Sequence, residues 1–449
     1  MEKENKQMIT ATPIINKGSP RPSRQQARFA FSVLMAINIL NYADRYVLSA
    51  VLPKIQGDMG LNNTELGLLA SSFLLIYALT TLPLGIWADR GARKNIVAIC
   101  VTVWSVATML TGLSRNFFQL LSTRTVLGIG EAGYAPASLS LLGDYFPKER
   151  RGRILSIWSI GNLIGTATGL VLGGLIADAY GWRWAFYVVG IPGLIAAFLI
   201  WRTSEPARGS YDSEGEVDDA GMTHGGLGKD FWGAVKRLFR IPTYWVLIGA
   251  FIFSFFTIGS ASVWIPKYFH EAFHLSVGQA GSVSGSVLAG GSLIGTIAGG
   301  WLADYLQRRR PEGRLLVATF SLLIGAPLIL LALSIHTLLP FIGVFILAII
   351  SLSLCLGPLN AVIQDVVAPE VRATAIGLIL LLAHLLGDAA SPLVVGAIAD
   401  RSSLGFALII TAPICLALAG VVCLLGLRTV ARDMRHMEEQ LQVQHQSRA

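Results

Sequence analysis

An all-α membrane protein, with twelve spans in two six-helix bundles, is the fold class this sequence predicts. Three observations predict it. Hydrophobic residues make up 53% of the 449-residue chain and charged residues 14%, where a soluble protein carries about 25% charged. Apolar runs of about 20 residues, enough to cross a bilayer, recur along the chain. Lysine and arginine fall into alternate loops between those runs.

The runs lie near residues 29–52, 64–88, 95–114, 116–143, 153–178 and 183–203, then near 243–266, 276–304, 314–335, 338–364, 372–399 and 404–428. This divides the chain into an N-terminal arm (1–28), a first six-helix bundle (29–203), a linker (204–240), a second bundle (241–428) and a tail (429–449). The arm is polar and basic and lacks the apolar core and cleavage site of a signal peptide. With the N-terminus placed inside, the inner segments hold 28 of the 35 lysines and arginines and the outer loops hold 5. Both termini and the linker are therefore expected in the cytoplasm. The linker segment 231–240 reads as a short interfacial helix, with Lys236, Arg237 and Arg240 toward anionic headgroups.

The pattern G-x-x-x-D closes the second, fifth, eighth and eleventh spans, at Gly85–Asp89, Gly174–Asp178, Gly300–Asp304 and Gly396–Asp400. Recurrence at every third helix, with ends alternating between inside and outside, is the mark of inverted three-helix units within two parallel halves. Glu149-Arg150-Arg151-Gly152 is echoed by Glu370-Val371-Arg372-Ala373. After Asp304-Tyr305 the second-half copy of the basic loop is degraded.

The net charge of +8 sits in short clusters and is not the basic surface of a nucleic-acid-binding protein. The four cysteines (Cys100, Cys355, Cys415, Cys423) lie in apolar segments without metal-ligand spacing. No nucleotide loop, metal cluster or nucleophile constellation is present, so no enzyme is expected. No metal and no cofactor is expected either, only a proton as coupling ion.

Charge inside the spans is the functional signal. Asp44 and Arg45 sit in the outer half of the first span, and Arg124 and Glu131 in the fourth. A charge at membrane depth costs ~3 kcal/mol or more, so it marks function by default. Arg124 and Glu131, seven residues apart, share a helix face about 10 Å apart in depth. The four charges are expected to meet in one cavity and to handle protons and an anionic headgroup, an arginine lowering a neighbouring carboxylate's proton affinity. The competing reading of Asp44–Arg45 is an ion pair that fixes packing. His384 and Asp388, one turn apart in the eleventh span, form a candidate second proton site, with Asn360 and Gln364 of the tenth as polar lining. The second half is otherwise apolar, with Phe251, Phe253, Phe255, Phe256 and Trp264. That asymmetry suits an amphiphile with an anionic head.

The run Gly85-Ile86-Trp87-Ala88-Asp89-Arg90-Gly91-Ala92-Arg93-Lys94 resembles the loop signature of the major facilitator superfamily. The resemblance implies gating and orientation by Gly85, Asp89, Arg90, Gly91, Arg93 and Lys94, and by Glu149, Arg151, Asp304, Glu370 and Arg372. Topological anchoring fits Arg93 and Lys94 about as well. The fifth span, Gly165-x3-Gly169-Leu170-x2-Gly173-Gly174, resembles the superfamily's antiporter signature with Leu170 where that signature has proline. Three stretches resemble the Spinster family: Asn41-Tyr42-x-Asp44-Arg45, Thr123-Arg124 through Glu131-Ala132-x-Tyr134, and Ala368-Pro369-Glu370-x-Arg372 with His384 through Asp388. The resemblance implies a monomeric, proton-coupled transporter of lysophospholipid-like or sphingosine 1-phosphate-like anions working by alternating access. It adds Asn41, Tyr42 and Tyr134 to the candidate site. Short loops imply a bacterial inner-membrane location and no nucleic-acid partner, only substrate and membrane lipid. A carrier of small water-soluble organic anions is the alternative, and a non-transporting membrane sensor a third.

Overall fold

Helix caps and prolines written into the sequence set where several of the spans start and bend. The structure is a computed structural model that describes residues 22–211 and 230–448, without the side chains of 89, 90, 230, 231, 234 and 443–448. Among the described residues ten helices are long and apolar enough to cross a membrane. The two predicted spans outside that ten are the first and the fourth, the two that carry the four charges at membrane depth. The first, Arg24–Met59, is long but polar, and the fourth is divided into Phe117–Ala132 and Tyr134–Tyr145. Both still pack among the apolar spans: the first against the fifth, sixth and seventh, the fourth against the second and third.

The fourth span breaks because Pro136 has no N–H and its ring would clash with the carbonyl of Ala132 one turn back. Pro358, 222 residues on, does the same in the tenth span, which divides into Leu338–Leu354 and Leu356–Val366. The fifth span, Lys148–Tyr180, is continuous through Leu170. Its counterpart, the eleventh, carries Pro392 and is interrupted by a π-turn at His384–Asp388 between Arg372–Ala383 and Ser391–Ala399. The linker contains a helix at Asp230–Leu238, and residues 212–229 lie outside the described residues. The tail is helical from Val430, and Asp433 Oδ2 accepts from the N–H of Thr243 at 3.0 Å, capping the start of the seventh span.

The two halves are joined at the end away from the linker. There the second span (Asn63–Arg90) meets the eleventh and the fifth meets the eighth (Val277–Gln307). Each contact is locked by an aspartate on the other half's helix N-terminus. Asp400 accepts from the N–H groups of Asn63 and Thr64, both at 2.8 Å. Asp178, its counterpart in the first half, accepts from Gly278 N–H at 2.7 Å. A carboxylate there satisfies orphan donors and meets the positive end of the helix dipole. The second and eighth spans also begin with capping boxes of their own, Asn62/Glu65 and Ser276/Gln279. Lys267 bonds Asn63 beside Asp400, and Lys54 stands 3.4 Å from Asp178.

Glycine permits the close approach. A Cβ on Gly67 or Gly281 would press into the backbone carbonyl of Pro392 or Leu170. Among the described residues every hydrogen bond between the halves lies from mid-bundle to this far end, Tyr46–Ser262 and Ser71–Leu393 included.

Burial pushes the Asp400 carboxyl up, but the Thr64 hydroxyl and the N–H groups of Thr64 and Asn63 outweigh it and hold it below the ordinary value. A lowered value means the lock is complete above the ordinary aspartate range and is lost as pH falls through the lowered one. At neutral pH, Asp178→Asn with Asp400→Asn should therefore open the far end. Spin labels on Gly57→Cys and Ser402→Cys should report a longer-distance population in this variant and, in the unsubstituted locks, only on strong acidification. Gly281→Val should produce the same opening by steric wedging.

Candidate functional site: a buried charge cluster

The first and fourth spans bring the four predicted charges together, but in crossed pairs. Arg45 Nε donates to Glu131 Oε2 at 2.6 Å. Asp44 accepts from the Thr108 hydroxyl of the third span and lies within electrostatic reach of Arg124. No Asp44–Arg45 bridge forms. Consecutive helical residues point about 100° apart, so each charge of the dipeptide reaches a different partner. Asp44 and Arg45 therefore do not bridge each other, and all four charges lie in one cluster.

Burial separates the roles. Asp44, Arg124 and Glu131 are at most 1% exposed, while the Arg45 side chain keeps 18%. Arg45 is the member that a ligand can reach. Its guanidinium lies 4.4 Å from the Tyr77 ring centroid, with Tyr42 at 5.3 Å and Phe73 at 5.4 Å. Rings at these distances attract a cation through their faces and keep its other side from water. Arg124 lies over the Phe186 ring at 5.1 Å. The cluster retains unspent hydrogen-bonding capacity: Asn41 Nδ2, Asp44 Oδ1, Arg124 Nε and Nη2, and Glu131 Oε1 are buried without a protein partner. Such atoms are rare in folded proteins and call for an explanation such as a functional ligand or proton.

Not every predicted residue joins the cluster. Tyr134 is 2% exposed, stacks on Trp158, meets Trp104 edge-on and donates to the Leu34 carbonyl. It is a packing residue at the break of the fourth span. Asn360 spends its amide on Leu356 of its own helix, and Gln364 is exposed beside Asp365. Phe251 and Trp264 are core residues rather than cavity wall. His384 and Asp388 do pair, Nδ1 to Oδ2 at 2.9 Å across the π-turn, and π-turns gather at functional sites. The His384 ring stands 5.2 Å from Phe255 and 6.4 Å from Tyr77. Tyr77 thus touches both Arg45 of the first half and His384 of the second. Neither Phe73 nor Tyr77 was predicted. Their signal is i,i+4 spacing on the second span, which reads equally as ordinary packing.

At the linker end Arg93, of the predicted gating set, and Arg314, outside it, each hold a cluster of protein oxygens. Arg93 is buried, bonding Asp144, Ser140 Oγ at 3.0 Å and Glu205. Arg314, 221 residues on, bonds both oxygens of Asp365 at 2.7 Å and Asp304 at 3.3 Å. The latch that the sequence shows as degraded after Asp304 is therefore complete, with its arginine displaced past a longer loop. Arg151 Nε donates to the carbonyls of Gly143 and Phe146, and Arg372 Nε to Val367, closing equivalent turns. Lys94 holds Thr203, and Gly91 accepts from Arg208, so these two tie down the linker's first residues. Gly85 is half-buried, and Glu149 and Glu370 are exposed. The side chains of Asp89 and Arg90 lie outside the described residues.

The sequence matches the family described as Major Facilitator Superfamily over residues 34–392. It is 30% identical to Protein spinster of Drosophila melanogaster over 83% of this chain, and spans 62% of that protein's length. It is 29% identical to an MFS-type efflux pump of Mycolicibacterium smegmatis, over 90% of this chain and 93% of the pump. The fold is similar to the crystal structure of a bacterial homologue of the human lysosomal transporter Spinster, in an inward-facing and unoccupied conformation. That match has a TM-score of 0.77 at 25% identity, over 93% of this chain and 99% of that one.

Removing one partner of a buried pair strands the other charge, at a cost of about 3–5 kcal/mol. Glu131→Ala should lower the thermal midpoint of the purified protein more than Glu131→Gln. Adding Arg45→Ala to Glu131→Ala should recover part of the loss, and a double-mutant cycle measures the coupling.

Proposed function

The chain belongs to the major facilitator superfamily and is a membrane transporter of the Spinster type, and on that premise we propose that it carries anionic amphiphilic lipids, of the lysophospholipid or sphingosine 1-phosphate class, coupled to protons. The observation that carries this reading is the partly exposed Arg45, framed by Tyr42, Phe73 and Tyr77 and paired with a fully buried Glu131. A phosphate or carboxylate head accepts from the planar guanidinium in two places at once. It competes with Glu131 for the same donors. As Arg45 turns to the head, Glu131 loses its counter-charge in a dry site and takes a proton. Asp44, facing Arg124, is the second group able to exchange a proton in the same enclosure. The apolar second half, with Phe255 beside His384, gives a tail somewhere to lie.

The basic loops favour a cytoplasmic linker end, with both termini inside. In that orientation the joined far end is the outer gate and the conformation is inward-facing, one of the two states that alternating access requires. The His384–Asp388 pair is the secondary proton candidate on the other half. A small organic anion would use Arg45 in the same way, and the arginine itself does not separate the two substrate classes. The aromatic frame around Arg45 favours the amphiphile.

Flux in proteoliposomes with and without a pH gradient tests the reading. Arg45→Ala should cut flux at least tenfold. Asp44→Asn and Glu131→Gln should remove its dependence on the gradient. A lysolipid should displace a bound fluorescent lysolipid where a sugar acid does not. Undiminished dependence of flux on the gradient in Asp44→Asn together with Glu131→Gln would sink the coupling assignment.

A further inference from the structure

We propose that the linker helix is an anionic-lipid contact that holds the start of the eleventh span. The helix Asp230–Leu238 buries Val235 and Leu238 and packs on the first turns of the eleventh span, Arg372–Ala383. These two residues are three apart, on one face. The exposed Lys236 points away from that face, the exposed Arg240 follows just past the helix end, and Trp232, 71% exposed, stands on the flank. Arg237 is exposed as well.

Three further observations give this face its partner. The first is depth. Only three residues separate Leu238 from Pro242, where the seventh span begins, so the helix cannot leave the membrane boundary. The second is an aromatic belt at the same level: Trp245, in the first turn of the seventh span, is 55% exposed and donates to the Phe239 carbonyl at 3.0 Å. Tryptophan collects at the headgroup layer. The third is unspent charge. Arg93, Arg208 and Arg314 of this end are committed to protein oxygens, but Lys236, Arg237 and Arg240 form no ion pair among the described residues. Three cations and a tryptophan, fixed at the interface, match an acidic leaflet.

Docking of the helix constrains the eleventh span, because its buried Val235 and Leu238 face the protein while its exposed cations face the leaflet. That span carries the π-turn with His384 and, at its far end, the Asp400 lock. Acidic lipid at this leaflet therefore favours the conformation with the far end joined. The inference rests on the cytoplasmic orientation proposed above but not on the identity of the cargo.

The test uses the full-length protein with an environment-sensitive fluorophore on Gly233→Cys, a position where an added Cβ meets nothing. It is reconstituted in phosphatidylcholine vesicles with and without phosphatidylglycerol. Phosphatidylglycerol should shield the fluorophore from a water-soluble quencher and expose it to a lipid-borne one, and high salt should reverse this. Lys236→Gln, Arg237→Gln and Arg240→Gln should each weaken the shielding about fivefold, with the thermal midpoint in detergent unchanged. Spin labels at positions 57 and 402 should show more of the joined state when phosphatidylglycerol is present. Equal shielding in both vesicles, or shielding that survives the triple variant, overturns the proposal. Neither readout involves flux, so failure of the transport reading leaves a separate signature.

Discussion

Four charges inside a membrane bundle are tolerable because opposite signs from two spans gather in one enclosure, Arg45 bonded to Glu131 and Asp44 held by the Thr108 hydroxyl within electrostatic reach of Arg124. The bond of Arg45 to Glu131 and the attraction between Asp44 and Arg124 depend on long side chains of the first and fourth spans meeting at one depth between helices that pack mainly on other neighbours. The same constraint explains the shapes of those spans. A fully apolar first helix would not need partners, and an unbroken fourth helix would carry the residues after Pro136 along another axis. The break at Gly133 lets Tyr134 turn into the stack with Trp104 and Trp158, which props the upper segment bearing Arg124 and Glu131.

Much of the fold was legible in the sequence because its signals are long-range and redundant. Twenty-residue apolar runs, basic loops and the four G-x-x-x-D endings all demand the same two-fold repeat. The capping boxes at Asn62 and Ser276 were also there to read. The pairing of charges was only half legible. Depth follows from helix rise, which is why Asp44, Arg45, Arg124 and Glu131 were grouped. Azimuth depends on how two helices are rotated against each other, and no single sequence records that. The partner of each charge therefore emerged only from the structure, as did Tyr77, whose spacing resembles any packing residue.

The second-half latch illustrates another limit. Arg314 stands at the same offset from Arg93 as Asp365 does from Asp144, yet Asp304 is offset from Asp89 by six residues fewer. A motif read as a contiguous string is lost when the loop inside it lengthens, while the geometry of its charges survives. The partners of the aspartates at 178 and 400 escaped notice for a related reason. They were read as ends of their own helices, whereas their hydrogen-bond partners are the N-termini of helices in the other half, about a hundred and more than three hundred residues away.

In the alternating-access cycle proposed above, these two sets of interactions divide the work. The central cluster is internal to the first half, so the proton exchange and anion binding proposed for it break no contact between halves. The far-end lock lies between the halves and does not touch the cluster. A link between them must run through a residue that touches both halves at mid-depth, and Tyr77 is such a residue: its ring meets the Arg45 guanidinium on one side and His384 on the other. It sits on the second span, whose N-terminus Asp400 holds. A change in the position of Arg45 therefore reaches a rigid helix anchored in the lock. For coupling to be tight, that helix must have two discrete positions rather than a continuous range. The close backbone approach of Gly67 to Pro392 supplies the condition, because surfaces packed at that distance either stay seated or separate.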